Sequence, residues 1–103
     1  MLYLKIHDNE HGAVIAMCDE NLIGKVLDDG KLHIDLKQYA GFYKGELVNR
    51  KKALELMADE RIYSANVIGK EAVETAIEGK VIQKENVSMV DGVPYAHAYK
   101  VDY

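Results

Sequence analysis

Two sets of side chains in this sequence have the types and spacing to do chemistry. The first is cationic: Arg50, Lys51 and Lys52 are consecutive, with Lys44 upstream and Lys70 further along. Asn49 before them is a good N-cap residue, so the three cations fall in the first turn of a helix. The N-terminal end of a helix already carries partial positive charge, and exposed cations there oppose it by ~0.3–1 kcal/mol each. The free backbone N–H groups at the same point make a ready anion site. A phosphate, in RNA or in a small ligand, would relieve that opposition. The plainer alternative is a solvated basic face, screened by salt and costing little.

The second set is polar and lies around one strand-to-helix junction: Ser64, Asn66, Gly69 and His97. Ser64 and Asn66 alternate in an otherwise apolar strand, where polar residues either satisfy neighbouring backbone or line a site. Gly69 and Lys70 open a helix and offer a second anion cradle. They lack the glycine spacing of a phosphate loop or a dinucleotide fold, and an N-cap or packing contact is the alternative. Tyr95, His97 and Tyr99 share one strand face, which could seat a base or an aromatic ligand. The same three rings could instead cover core or form a subunit interface, so a homodimer is a second kind of partner.

Other motifs carry less. The run from His7 to His11 matches His-x-x-Glu-His, which as a zinc motif requires both imidazoles on one helical face. Here a strand pattern precedes it and Gly12 ends it, so a turn with two solvated histidines is expected and no metal site is assigned. Cys18 is the one cysteine and reads as a small buried hydrophobe. No carboxylate pair has the spacing of acid-base work. No catalytic residue and no cofactor is assigned.

The elements that must position these residues are legible in part. Residues 62–68 are β-branched and aromatic and read as a strand. Gly69 breaks the run. From Lys70 to Glu78 the period becomes helical, with Ala72, Val73, Ala76 and Ile77 on one face and Glu71, Glu74 and Glu78 opposite. Gly79 is expected to close that helix in the left-handed conformation. An N-terminal hairpin is expected from the alternation of Leu2, Leu4 and Ile6 and the apolar run 13–17, joined by five residues, 8–12. Residues 19–21 open a single helical turn. Residues 23–27 and 32–36 form a second hairpin with a three-residue loop and glycine at the left-handed position. Residues 37–46 fit no period and read as an ordered loop.

A helix is expected from Arg50 to about Asp59, with Val48 and Ala53 as a hydrophobic staple and Ala53, Leu54, Met57 and Ala58 as its buried stripe. Residues 81–82 and 87–90 are short β-like pieces. Asp91-Gly92 is a strong hairpin signal of type I′. The closing strand runs from Val93 to Val101, with Pro94 near its start or on an edge. The order of elements gives an α+β fold: a mixed, mostly antiparallel sheet with two main helices on one face and the strand-glycine-helix unit at its centre.

Composition bounds the rest. With 103 residues and 49% hydrophobic content, the chain suits a single domain, 1–103, with its own core. A net charge of −4 means that nucleic acid would need a local basic patch. A lone cysteine, no secretory leader and no apolar run near 20 residues point to the cytoplasm, with no membrane contact.

Residues 64–77, Ser-Ala-Asn-Val-Ile-Gly-Lys-Glu-Ala-Val-Glu-Thr-Ala-Ile, resemble a small archaeal family, domain of unknown function 424. Leu22-Ile23-Gly24-Lys25, residues 43–48, residues 53–56 and residues 92–96 resemble it in the family's order, and the likeness spans roughly residues 1–101. The resemblance implies a small, single-domain cytoplasmic protein with no established activity. It also implies a link to RNA or a translation component, through genes lying near translation genes. The chain departs from the family's pattern in two places: Arg50-Lys51-Lys52 stand where more acidic residues are expected, and Tyr95 where histidine is expected. The resulting expectation is a non-enzymatic binding or accessory protein for RNA or translation, with Lys44, Arg50, Lys51, Lys52 and Lys70 on phosphates. The alternative is a small-molecule-binding domain or small enzyme using Ser64, Asn66, Gly69 and His97.

Overall fold

The computed structural model describes residues 1–99. Eight strands form two sheets. In chain order they are β1 (Leu2–Asn9), β2 (Gly12–Asp19), β3 (Val26–Asp28), β4 (His33–Asp35), β5 (Glu46–Val48), β6 (Ile62–Ile68), β7 (Ser88–Val90) and β8 (Val93–Tyr99). The helices are α1 (Ala40–Tyr43), α2 (Arg50–Met57) and α3 (Lys70–Glu78). The main sheet has the order β5-β1-β2-β6-β8-β7, and β3 and β4 form a separate two-stranded sheet. β2 and β6 run parallel while the other neighbours in the main sheet are antiparallel. The fold is thus α+β with a mixed, mostly antiparallel sheet. No helix among the described residues is long and apolar enough to cross a membrane.

Side-chain alternation gives the sheet two different faces. On one face Leu2, Leu4, Ile15, Met17 and Val67 meet Ala53 and Met57 of α2 and Ala72, Val73 and Ala76 of α3. On the other, Cys18, Ile68 and Val90 meet Leu22, Leu27 and Leu36 from the connection between β2 and β5. That second layer covers only part of the face, and the candidate site lies between it and the sheet.

Several local expectations are corrected. The first hairpin turn is two residues, Glu10 and His11, because Asp8 and Asn9 pair with Ala13 and Gly12. Backbone pairing is indifferent to side-chain polarity, so the ladder runs past the last apolar residue. The second hairpin has shorter strands and pairs Asp28 with His33, leaving four residues between them, with Gly30 at φ 88° as expected. The stretch read as a loop contains α1 and the start of β5. Ala58 is exposed rather than part of the α2 stripe, and Val81 and Ile82 are buried without forming a strand. Pro94 lies near the start of β8, one of the two places expected for it, and β8 is an interior strand. Lys100 and Val101, expected to end that strand, lie outside the described residues.

Gly79 is also corrected: its φ is −77°, and the left-handed residue is Lys80 at φ 61°. Lys80 N–H donates to the Ile77 carbonyl (3.0 Å) and Val81 N–H to the Ala76 carbonyl (3.1 Å), the two bonds of a Schellman ending. A Cβ on Gly79 would lie 2.7 Å from Met57 Cε and 2.8 Å from Sδ, so the end of the Met57 side chain would have to shift to admit one.

Candidate functional site

The residues facing the uncovered side of the sheet follow from register. Ala16 pairs with Asn66, and Asn66 with His97, so those three lie in one row across β2, β6 and β8. Val14, Ser64 and Tyr99 make the neighbouring row. A register shift between Ala13 and Val14 marks a bulge at Tyr63. Such a bulge re-aims a side chain, and the Tyr63 ring lies 6.4 Å from Tyr99, stacked at 22°. Asn9 Nδ2 donates to the Tyr63 hydroxyl at 2.9 Å, which holds the ring in place.

Over one end of this face sits a cavity of about 390 Å³. It is lined by His33, Ile34, Asp35 and Leu36 of β4 and the residue after it, by Tyr39, Phe42 and Tyr43 around α1, and by Asn66. The walls are held by local chemistry. Asp35 Oδ1 accepts the N–H groups of Lys37 (3.0 Å) and Gln38 (2.9 Å), which turns the chain into α1. Phe42 stacks on His7 at 4.4 Å and 11°, and the Phe42 carbonyl bonds His7 Nε2 at 2.8 Å. Phe42 meets Tyr43 edge-to-face at 5.1 Å. Burial pushes the Tyr43 phenol up to about 12, so it stays neutral.

Asn66 is the polar group of the sheet that enters this cavity. It is half-buried, and since no polar side-chain atom of the described residues is buried without a partner, its amide, which bonds no described residue, is open to solvent in the cavity. Of the four residues proposed for a pocket, Ser64, Asn66 and His97 share this face, with Ser64 buried and His97 exposed. Gly69 does not join them. It sits at the end of β6 with φ 110°, and a Cβ there would overlap the Asp19 carboxyl.

The anion cradle expected at Gly69 and Lys70 exists, and the protein fills it. Asp19 Oδ1 accepts Ala72 N–H at 2.7 Å and Oδ2 accepts Glu71 N–H at 3.2 Å. This end of α3 therefore receives a carboxylate from β2, as a helix N-terminus prefers. Burial raises the Asp19 pKa, against the lowering by those two N–H groups.

The five cations are not brought together. Arg50 Nη2 and Nε bind Glu78 Oε1 at 2.6 and 2.9 Å, at the far end of α3 from Lys70. Lys52 lies 3.9 Å from Glu55, and its N–H is capped by Asn49 Oδ1 at 2.8 Å. Lys44 lies 5.9 Å from the Tyr3 ring centroid, on the sheet face opposite α2 and α3. Lys51 and Lys70 are exposed and form no ion pair with a described residue.

His7 and His11 lie on a β-hairpin rather than a helix, His7 bound to Phe42 and His11 beside Glu10 at 3.4 Å. Tyr95 packs in the second core while His97 and Tyr99 are exposed. The sequence reading missed Phe42, Tyr43 and Asp35. The available signal was three aromatics within residues 39–43, too short a stretch to show a period.

A sequence model of a family described as "Protein of unknown function (DUF424)" matches residues 6–101. Comparison with curated proteins gives no match. Among solved structures, the chain is similar to an uncharacterized conserved protein from Methanopyrus kandleri, with a TM-score of 0.80 and 20% identity. The likeness covers 99% of this chain and 93% of the other, and at that identity it shows a shared fold.

Proposed function

We propose, from the premise that this chain belongs to the DUF424 family of proteins of unknown function, that it is a binding protein whose site is the Asn66 cavity. One observation carries the reading. A half-buried, solvent-accessible amide lines an apolar, aromatic-walled cavity of about 390 Å³. Small-molecule sites are concave and mostly apolar, with a few polar groups that fix orientation. Ser64 and His97 extend the polar surface along the same sheet face. A single reduced cysteine supports a cytoplasmic working place.

The test is a fragment panel of neutral, cationic and anionic small molecules, titrated into the wild-type chain and into Asn66→Leu by calorimetry. Leucine keeps the volume and removes the amide. Fragments that bind wild type should weaken by about tenfold or more, the equivalent of one lost polar contact at ~1.4 kcal/mol. Equal binding by both proteins, or no binding by any fragment, contradicts the reading.

The second reading is contact with RNA or a translation component through Lys44, Arg50, Lys51, Lys52 and Lys70. It is supported by the exposure of Lys51 and Lys70 at two helix starts. Arg50, Lys51 and Lys52 share the start of α2, but the placement of Lys44 and Lys70 on other elements and the internal carboxylates on Arg50 and on the α3 cradle weigh against a single phosphate groove. Binding through phosphates would weaken steeply between low and high salt. An RNA affinity unchanged by salt excludes this route.

A further inference from the structure

We infer that the cavity takes a small organic cation, a substituted ammonium group, faced by the Tyr39, Phe42 and Tyr43 rings with Asp35 as its counter-charge. This rests on the reading that the cavity is a ligand site, and it names the chemistry the site selects.

Three aromatic rings from one five-residue stretch line the same space. Aromatic faces carry negative potential and attract a cation within about 6 Å of the ring centroid, more strongly once water is excluded. The carboxylate is available: both backbone N–H groups on Asp35 end on Oδ1, and Oδ2 accepts nothing from a described residue. The Gln38 and Lys37 N–H groups also hold the Asp35 carboxyl below the usual carboxylate range, so it is charged at neutral pH.

No lysine or arginine is among the described residues lining the cavity. Lys5 Nζ donates to the Gly41 carbonyl at 2.8 Å, Lys44 lies over Tyr3, and Lys37 is exposed. His33 Nδ1 lies 3.0 Å from Asp28 Oδ2, so that imidazole is engaged by a carboxylate other than Asp35. An anionic ligand would meet the Asp35 carboxylate, whose charge His33 and Lys37 ease from nearby without forming an ion pair with it among the described residues. A neutral hydrocarbon would strip water from Asp35 and Asn66 and give neither a partner, which is costly. A cation satisfies the rings and the carboxylate together, and Asn66 can then bond a hydroxyl or carbonyl elsewhere on the ligand.

The discriminating pair is choline and its neutral carbon isostere, 3,3-dimethyl-1-butanol, titrated into the full chain. Wild type, Asp35→Asn and Phe42→Leu are compared after thermal melts show each folded. Asparagine keeps the Oδ1 acceptor that shapes the entry to α1, so Asp35→Asn removes charge and little else. Wild type should bind choline about tenfold tighter than the alcohol, as a partly desolvated cation–π contact with a counter-charge predicts. Asp35→Asn should erase most of that preference, and Phe42→Leu should weaken choline more than the alcohol. Equal or tighter binding of the alcohol overturns the cation inference while leaving the cavity a ligand site. Binding of neither probe also overturns it, and the fragment panel then judges the cavity separately.

Discussion

Asp19 and Gly69 are coupled by geometry. Gly69 has φ 110° and ψ 155°, a region essentially restricted to glycine, and its missing Cβ leaves room for the Asp19 carboxyl. Gly69→Ala should therefore cost about 1–3 kcal/mol from backbone strain alone, plus the overlap with Asp19. Asp19→Ala leaves the Glu71 and Ala72 N–H groups without their acceptor, at about 1–3 kcal/mol for each that stays buried. The double variant should cost less than the sum, because the second change removes the overlap of the first. Urea unfolding of the four proteins measures this, and strict additivity contradicts the coupling. Gly69 was legible as a break between two periods. Its partner was not, because Asp19 lies fifty residues earlier in the chain and meets Gly69 through the parallel pairing of β2 and β6.

The helices show the same division at the scale of the element. The N-cap at Asn49 and the apolar stripe of α3 were readable because both are local, and both are present. Thr75 was not readable: it is buried on α3 and satisfied by its Oγ1 donating to the Glu71 carbonyl at 2.7 Å. The end of α3 was readable as an end, yet the left-handed residue is Lys80, because the closing bonds run from Lys80 and Val81 to Ile77 and Ala76. A non-glycine in that conformation costs ~1–2 kcal/mol, and glycine gives back ~0.5–1 kcal/mol through its unfolded-state freedom. Lys80→Gly should thus stabilise by about 0.5–1 kcal/mol, whereas Gly79→Ala should destabilise unless Met57 moves. A rise in urea midpoint for the first variant and a fall for the second is the expected pair. A fall for Lys80→Gly contradicts the Schellman assignment.

The whole molecule carries a pH signature whose sign follows from its shifted groups. Asp28, Asp29, Asp35 and Asp59 are held below the usual carboxylate range, chiefly by His33, Leu32 N–H, Gln38 N–H and Arg61 respectively. Their unfolded forms bind protons first, so the stability they contribute is present above about pH 3.8 and is lost as pH falls through their lower folded values. Asp19 is raised and acts in the opposite sense, its contribution fading as pH rises through its folded value. At the alkaline end, burial pushes Cys18 and Tyr43 up to about 12 from 9.0 and 10.0. The unfolded chain loses those protons first, so melting temperature should fall from about pH 9 upward. A melting temperature flat between pH 8 and about 11 contradicts the burial of both groups.

At this scale the sheet-and-helix architecture was legible from periodicity, and Asn66 stood out as a polar residue in an apolar strand. The cavity itself was hidden because residues 33–43 reach it by folding back over a sheet face they do not belong to. The most direct measurement is an amide chemical-shift map of the full chain titrated with the tightest fragment and, separately, with a short RNA. The account predicts fragment shifts at Ile34, Asp35, Leu36, Phe42, Tyr43 and Asn66, with Lys51 and Lys70 unmoved. Shifts confined to the starts of α2 and α3, with the cavity silent under both ligands, would contradict it.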